Sequence, residues 1–258
     1  MSPRNRLDRL LPRPLSHVVV TEVAATPAEH RRRRRVVATT AVAGAGLLGA
    51  SLSTAPGSRE FYLSTAAVAG VWSVGGLASG PLHLGWIENR DATLRRPILT
   101  PVATGVAAFG VFYAGALLTR RVPLLGDAVA RVLRFAHEGE DRRVLATTLA
   151  NGVGEEIFFR GALYAALGGR NPVARSTAVY TLATATTRNP ALVLAAGVMG
   201  TLFGLQRRAS GGLQAPLITH TVWSALMVRY LPPLFRGASR ARAIATAPGP
   251  TTRLAPGR

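Results

Sequence analysis

The sequence predicts an all-α, polytopic bundle of about six to eight transmembrane helices. Three observations carry the prediction: the chain is 48% hydrophobic and 17% charged, its uncharged windows are as long as a bilayer is thick, and Gly and Ala run through them. Val36–Ser58, Phe61–Ile87 and Pro97–Thr119 carry no charged residue over 23, 27 and 23 positions, against the roughly 20 that a spanning helix needs. Small residues such as those in "AVAGAGLLGA" and "VAGVWSVGGLASG" let helix backbones approach where lipid removes the hydrophobic drive for association. An Ala-rich soluble helical protein is the weaker reading of the same composition.

Taken in order, residues 1–35 are polar, with Pro at 3, 12, 14 and 27, and read as an Arg-rich, disordered cytoplasmic tail. Residues 36–140 hold the N-terminal membrane helices, at 36–55, 61–87 and 97–119. Within residues 120–143, Val129, Val132, Leu133 and Ala136 share one face and Arg131 and Arg134 another. That pattern suits a helix lying at the membrane interface. Residues 141–236 form a helical core with spans at 144–168, 172–187, 190–206 and 212–235, separated by "GGRNP", "TRNP" and "ASGG". Residues 237–258 read as a second Arg-rich, disordered tail. Seven spans with a cytoplasmic N-terminus put that tail outside, against the positive-inside expectation. Either residues 120–137 dip into the membrane or one short C-terminal segment is re-entrant.

The net charge of +19 comes from 31 basic residues, all of them Arg. Their placement argues against a nucleic-acid partner: "HRRRRR", His30–Arg35, abuts the first apolar window as a cytoplasmic flank does, and attracts anionic membrane lipid. A phosphate-reading surface would interleave aromatic residues. A first span that is retained suits this start better than a cleaved twin-arginine signal. The chain has no Cys, so disulfides, thiolate metal sites and a cysteine nucleophile are excluded.

From Arg142 onward the acidic residues are Glu155 and Glu156 and the one histidine is His220. A carboxylate at membrane depth is costly, so it should face the bundle interior and find a partner. Glu156 and Arg160 stand at i and i+4, the spacing at which carboxylate and guanidinium meet on a helix. Glu155, about 100° round the helix, then has no local cation. Beside a second carboxylate in an apolar setting, it is suited to exchange a proton near neutral pH. His220 follows Pro216, with Ser224 one turn later. It either binds water, metal or a substrate oxyanion opposite the glutamates, or is a neutral ring bonded to Ser224. A salt-bridge cluster that only fixes packing is the bland reading of the acidic pair with Arg160. A bundle with so few ionisable groups favours use.

"EEIFFRG", Glu155–Gly161, resembles the EExxxR motif of the CAAX prenyl protease and bacteriocin-processing family of intramembrane endopeptidases, and "GTLFGLQRRASGGLQAPLITHTVWS", Gly200–Ser224, is similar to its last motif, which ends in HxxxN. The resemblance covers about residues 140–235. Two positions depart from the pattern: "YTLAT" places Tyr180 and Thr184 where FxxxH is expected, and Ser224 replaces the final Asn. The resemblance implies a multi-pass cell-membrane protein that hydrolyses a peptide bond in a peptide or membrane-protein substrate. It implies that Glu155 activates a water, with Glu156, Arg160 and His220 in the catalytic set and Thr184 and Ser224 at the water- or oxyanion-holding positions. Glu155, Glu156 and His220 can supply three ligands to a divalent metal such as zinc, while a metal-free glutamate mechanism is equally open. The all-Arg usage points to a GC-rich, actinobacterial-like bacterial source, where prenylated substrates are not expected. Given the two substitutions, an inactive member acting as a membrane scaffold or partner-binding protein is the alternative. A small carrier using the buried carboxylates is a weaker one, for no inverted repeat is visible.

Overall fold

In the computed structural model the described residues are Leu15, 26–88, 93–119, 122–169 and 171–235. They form a helical bundle: α1 Pro27–Ser51, α2 Arg59–Ala78, α3 Leu99–Thr119, α4 Pro123–Glu138, α5 Asp141–Glu155, α6 Tyr164–Leu167, α7 Pro172–Ala185, α8 Pro190–Ser210 and α9 Gln214–Tyr230. Between α5 and α6 the chain stays helical but winds as a π-helix over Glu156–Leu163, so residues 141–167 make one continuous rod. Two short antiparallel strands, β1 Ile87–Glu88 and β2 Leu94–Arg95, pair Ile87 with Arg95 and Glu88 with Leu94. Helices α2, α3 and α8 are long and apolar enough to cross a membrane.

Helix starts follow the expected chemistry. Pro27, Pro123, Pro172 and Pro190 sit in the first turn of α1, α4, α7 and α8, where a missing N–H costs nothing. Two expectations are corrected. The Arg run is helical rather than part of an irregular tail. Thr26 and Glu29 form a reciprocal capping box that starts α1 at Pro27, and Arg is a good helix former. Arg33 then reaches across to donate to the carbonyls of Ser79 and Pro81, at 3.2 Å each. The remainder of the expected tails, 1–25 with the exception of Leu15, and 236–258, lies outside the described residues. The second span also stops early, at Ala78 rather than at residue 87. Gly80 takes φ +132°, which strongly favours glycine, and Pro81 cannot continue a helix. The amphipathic segment forms α4 as expected.

The core gathers Trp72 of α2 and Phe158, Phe159 and Leu163 of the π-wound stretch, with Val37, Val68 and Ala183 around them. The Trp72 and Phe158 rings lie 4.7 Å apart, and Phe158 meets Phe159 edge to face at 85°. α5 lies close on α2: a Cβ at Gly154 would stand 2.8 Å from the carbonyl oxygen of Ala69. α7 packs on α8, and α9 lies against α3 and α5, so the rod 141–167 is enclosed on several sides.

Candidate active site

The rod 141–167 carries both glutamates to the centre of the bundle. Helix α7 presents Tyr180 and Thr184 to them, and α9 presents His220 and Ser224. The loop before α9 is pinned from two directions. Leu213 and Gln214 donate backbone bonds to the carbonyls of His83 and Leu84, at 2.9 Å each, and Trp86 donates to Ser210 O at 2.8 Å. At the residue just before His220 comes a second anchor, where Gln206 donates to Thr219 Oγ1 at 2.8 Å and Thr219 donates to Pro101 O at 3.0 Å. The Phe203 ring, 4.7 Å away and inclined by 22°, stacks on the imidazole.

The expected pairing of Glu156 with Arg160 is present. Arg160 Nη1 donates to Glu156 Oε1 at 3.1 Å, both side chains being fully buried. The same oxygen is bonded to His220 Nδ1 at 2.9 Å. A carboxylate only accepts, so Nδ1 carries the proton, and Nε2 is the ring nitrogen left over. His220 thus stands against Glu156, which matches one of its two readings in placement alone. Its Nδ1 goes to Glu156 and not to Ser224. Among the described residues Arg160 Nε and Nη2 have no hydrogen-bond partner, as is true of Glu156 Oε2. The guanidinium lies instead between two aromatic faces, 4.5 Å from the Tyr180 centroid and 5.0 Å from that of Phe203, where a desolvated cation gains from the ring quadrupoles.

Glu155 points elsewhere. Its Oε2 accepts a 2.6 Å hydrogen bond from the Tyr180 phenol, a partner the sequence reading did not assign. A phenol on an apolar membrane helix has to find an acceptor, and that was the signal available. Thr184 donates to Tyr180 O, one turn back along its own helix, at 2.9 Å. Its hydroxyl proton therefore serves the backbone.

Glu155, Tyr180, Thr184, His220 and Ser224 line a cavity of about 320 Å³, together with Asn151 and Gly152. Asn151 donates to Thr65 O and Thr147 O, at 3.2 and 3.0 Å, while its Oδ1 has no partner among the described residues. The cavity runs from Glu155 toward the end of the bundle where α1 stops and α2 begins, past Phe135 of α4. Two further residues support the site from behind: Ser176 Oγ donates to Phe159 O at 3.0 Å and Arg207 Nε donates to Arg160 O at 2.8 Å. Both carbonyls belong to the π-wound stretch. A π-turn is rare and favours functional sites, and nothing in the sequence signals it.

The three ligands that Glu155, Glu156 and His220 could supply to a metal are not gathered around one point in this arrangement. The Glu156 oxygen that faces His220 is already held by the Arg160 guanidinium and the imidazole N–H. A cation placed there would displace one and stand against the other. Among the described residues no three His, Asp or Glu side chains are arranged to hold a metal ion.

Residues 142–226 match a family model described as type II CAAX prenyl endopeptidase Rce1-like. No curated protein and no solved structure matches the chain. The matched range runs from the start of α5 into α9 and contains every residue of the glutamate and histidine cluster. Over that segment, which holds the buried cluster, the chain is similar to the type II CAAX prenyl endopeptidases of the Rce1-like kind.

Proposed function

We propose that the protein is an intramembrane endopeptidase that hydrolyses a peptide bond with a water activated by Glu155. The observation that carries this reading is a carboxylate with no bonded cation among the described residues, facing a cavity inside the helical bundle, beside an imidazole whose other nitrogen is fixed by a second glutamate. Glu155 takes a proton from the water as its oxygen attacks the scissile carbonyl carbon. As the C–N bond breaks, Glu155 returns the proton to the leaving amine. His220, oriented by Glu156, offers Nε2 toward the tetrahedral oxygen when the ring is doubly protonated. Arg160 neutralises Glu156 so that the buried cluster does not carry two uncompensated negative charges. The substrate class is a peptide or membrane protein, and its access through a membrane bundle agrees with the family of the matched segment.

A second reading, an inactive scaffold that binds a partner, is favoured by one observation. Thr184 bonds its own helix and supplies no donor to the cavity. Cleavage of a panel of membrane and leader peptides by the purified protein in detergent separates the two. The protease reading expects Glu155→Ala and His220→Ala to slow cleavage by about a hundredfold or more, with chelator leaving the wild type unaffected. A wild type that cleaves nothing its variants do not would leave the scaffold reading.

A further inference from the structure

Glu155 is bonded by Tyr180, which stands where the FxxxH pattern has Phe, a residue with no hydroxyl to donate, and the surroundings of Tyr180 are built to hold it still. Its ring lies 4.7 Å from that of Phe159, with the Arg160 guanidinium 4.5 Å over its face. On the α8 side Gly200 makes room for it: a Cβ there would stand 3.2 Å from Tyr180 Cδ1. Rotation of the ring is therefore opposed by a phenyl group, a cation and a backbone. One turn later, Thr184 turns its hydroxyl back to Tyr180 O, so the α7 group that reaches Glu155 is the phenol. The same side chain touches both halves of the site: it bonds Glu155 through its oxygen and stacks under the Arg160 that holds Glu156.

We propose that Tyr180 is a positioning residue of this site, holding Glu155 through one carboxylate oxygen so that the other is left to take the proton of the attacking water. This rests on the protease reading above. A free Glu side chain has several rotamers at similar energy. A donor at 2.6 Å, itself wedged between rings, selects one of them before substrate arrives. The phenol keeps its own proton throughout. Tyr180 enters no bond-making step and acts through Glu155.

Tyr180→Phe removes one oxygen and leaves the packed ring, so the bundle should persist. On a peptide that the wild type cleaves, kcat should fall about tenfold to hundredfold while KM stays within about twofold. Tyr180→Phe added to Glu155→Ala should slow cleavage no further, because the phenol has nothing left to position. A second readout needs no substrate. The tyrosine doublet in the Raman spectrum reports whether a phenol donates, and the difference between wild type and Tyr180→Phe isolates Tyr180. That signature should be a strong donor's in the wild type and should change in Glu155→Ala. A Tyr180→Phe variant with wild-type kcat, or a doublet indifferent to Glu155→Ala, overturns the proposal. Should the doublet respond while the wild type cleaves no peptide, the pair exists but the protease reading fails, and the positioning role falls with it.

Discussion

Helix α3 and the rod 141–167 answer opposite demands of one membrane. In α3 the side chains of Val111 and Leu118 are 70% and 65% exposed on the protein surface, whereas on the rod Phe158, Glu156 and Arg160 are fully buried. A soluble protein would put the charges outside and the valines inside. Here the helix that is long and apolar enough to cross a membrane exposes its side chains, and the helix with ionic groups is wrapped by its neighbours, an arrangement that suits lipid, which offers nothing to a charge while protein offers a partner. The difference teaches that in this chain hydropathy marks the outside and its interruptions mark the centre.

The sharpest way to break that comparison is to remove one charge from the rod. Glu156→Ala or Arg160→Ala leaves the other group buried without its ion partner and should cost about 3–5 kcal/mol. Val111→Ala on α3 should stay within about 0.5 kcal/mol. Unfolding in mixed micelles of rising SDS content measures both, and similar losses would mean that the buried pair is hydrated after all. Glycines give the next contrast. Gly154→Ala drives a methyl group toward the Ala69 carbonyl and should destabilise by about 1–3 kcal/mol, read in the same titration. Smaller still, Ser176→Ala strips the Phe159 carbonyl of its side-chain donor and should cost about 1–2 kcal/mol. It should also weaken cleavage if the π-winding sets the glutamates. The least effect is expected at Gly110, in α3, where a Cβ would meet nothing within 4 Å. Gly110→Ala should stabilise by up to about 1 kcal/mol through helix propensity alone.

Local rules made most of the fold legible. Pro at helix starts and uncharged windows located α3, α7 and α8 to within a few residues of 97–119, 172–187 and 190–206. Isolation of Glu155, Glu156 and His220 along the chain pointed to residues that the bundle brings into one cluster, and the i, i+4 rule found the Glu156 and Arg160 pair. What escaped was tertiary. Tyr180 stands 25 positions from Glu155, and its spacing to the carboxylate exists only once α7 is docked. The choice between a metal and a metal-free site stayed open in the sequence for a related reason. Counting ligand-type residues says nothing about which oxygen Arg160 has already taken. The early stop of α2 was readable from Gly80 and Pro81 but was masked by a long uncharged window that counts loop and helix alike.

The π-wound stretch Glu156–Leu163 spends more residues per turn than the helices on either side of it. Its phase therefore slips, and side chains after Leu163 face directions that a regular α-helix begun at Asp141 would not give them. In hereditary terms the stretch behaves as an accommodated insertion, and shortening it by one codon would let the helix rewind without dissolving the bundle. Glu155 and Glu156 would then turn relative to Tyr164 and everything after it, so a single in-frame deletion could silence the site while leaving a membrane protein of nearly the same shape.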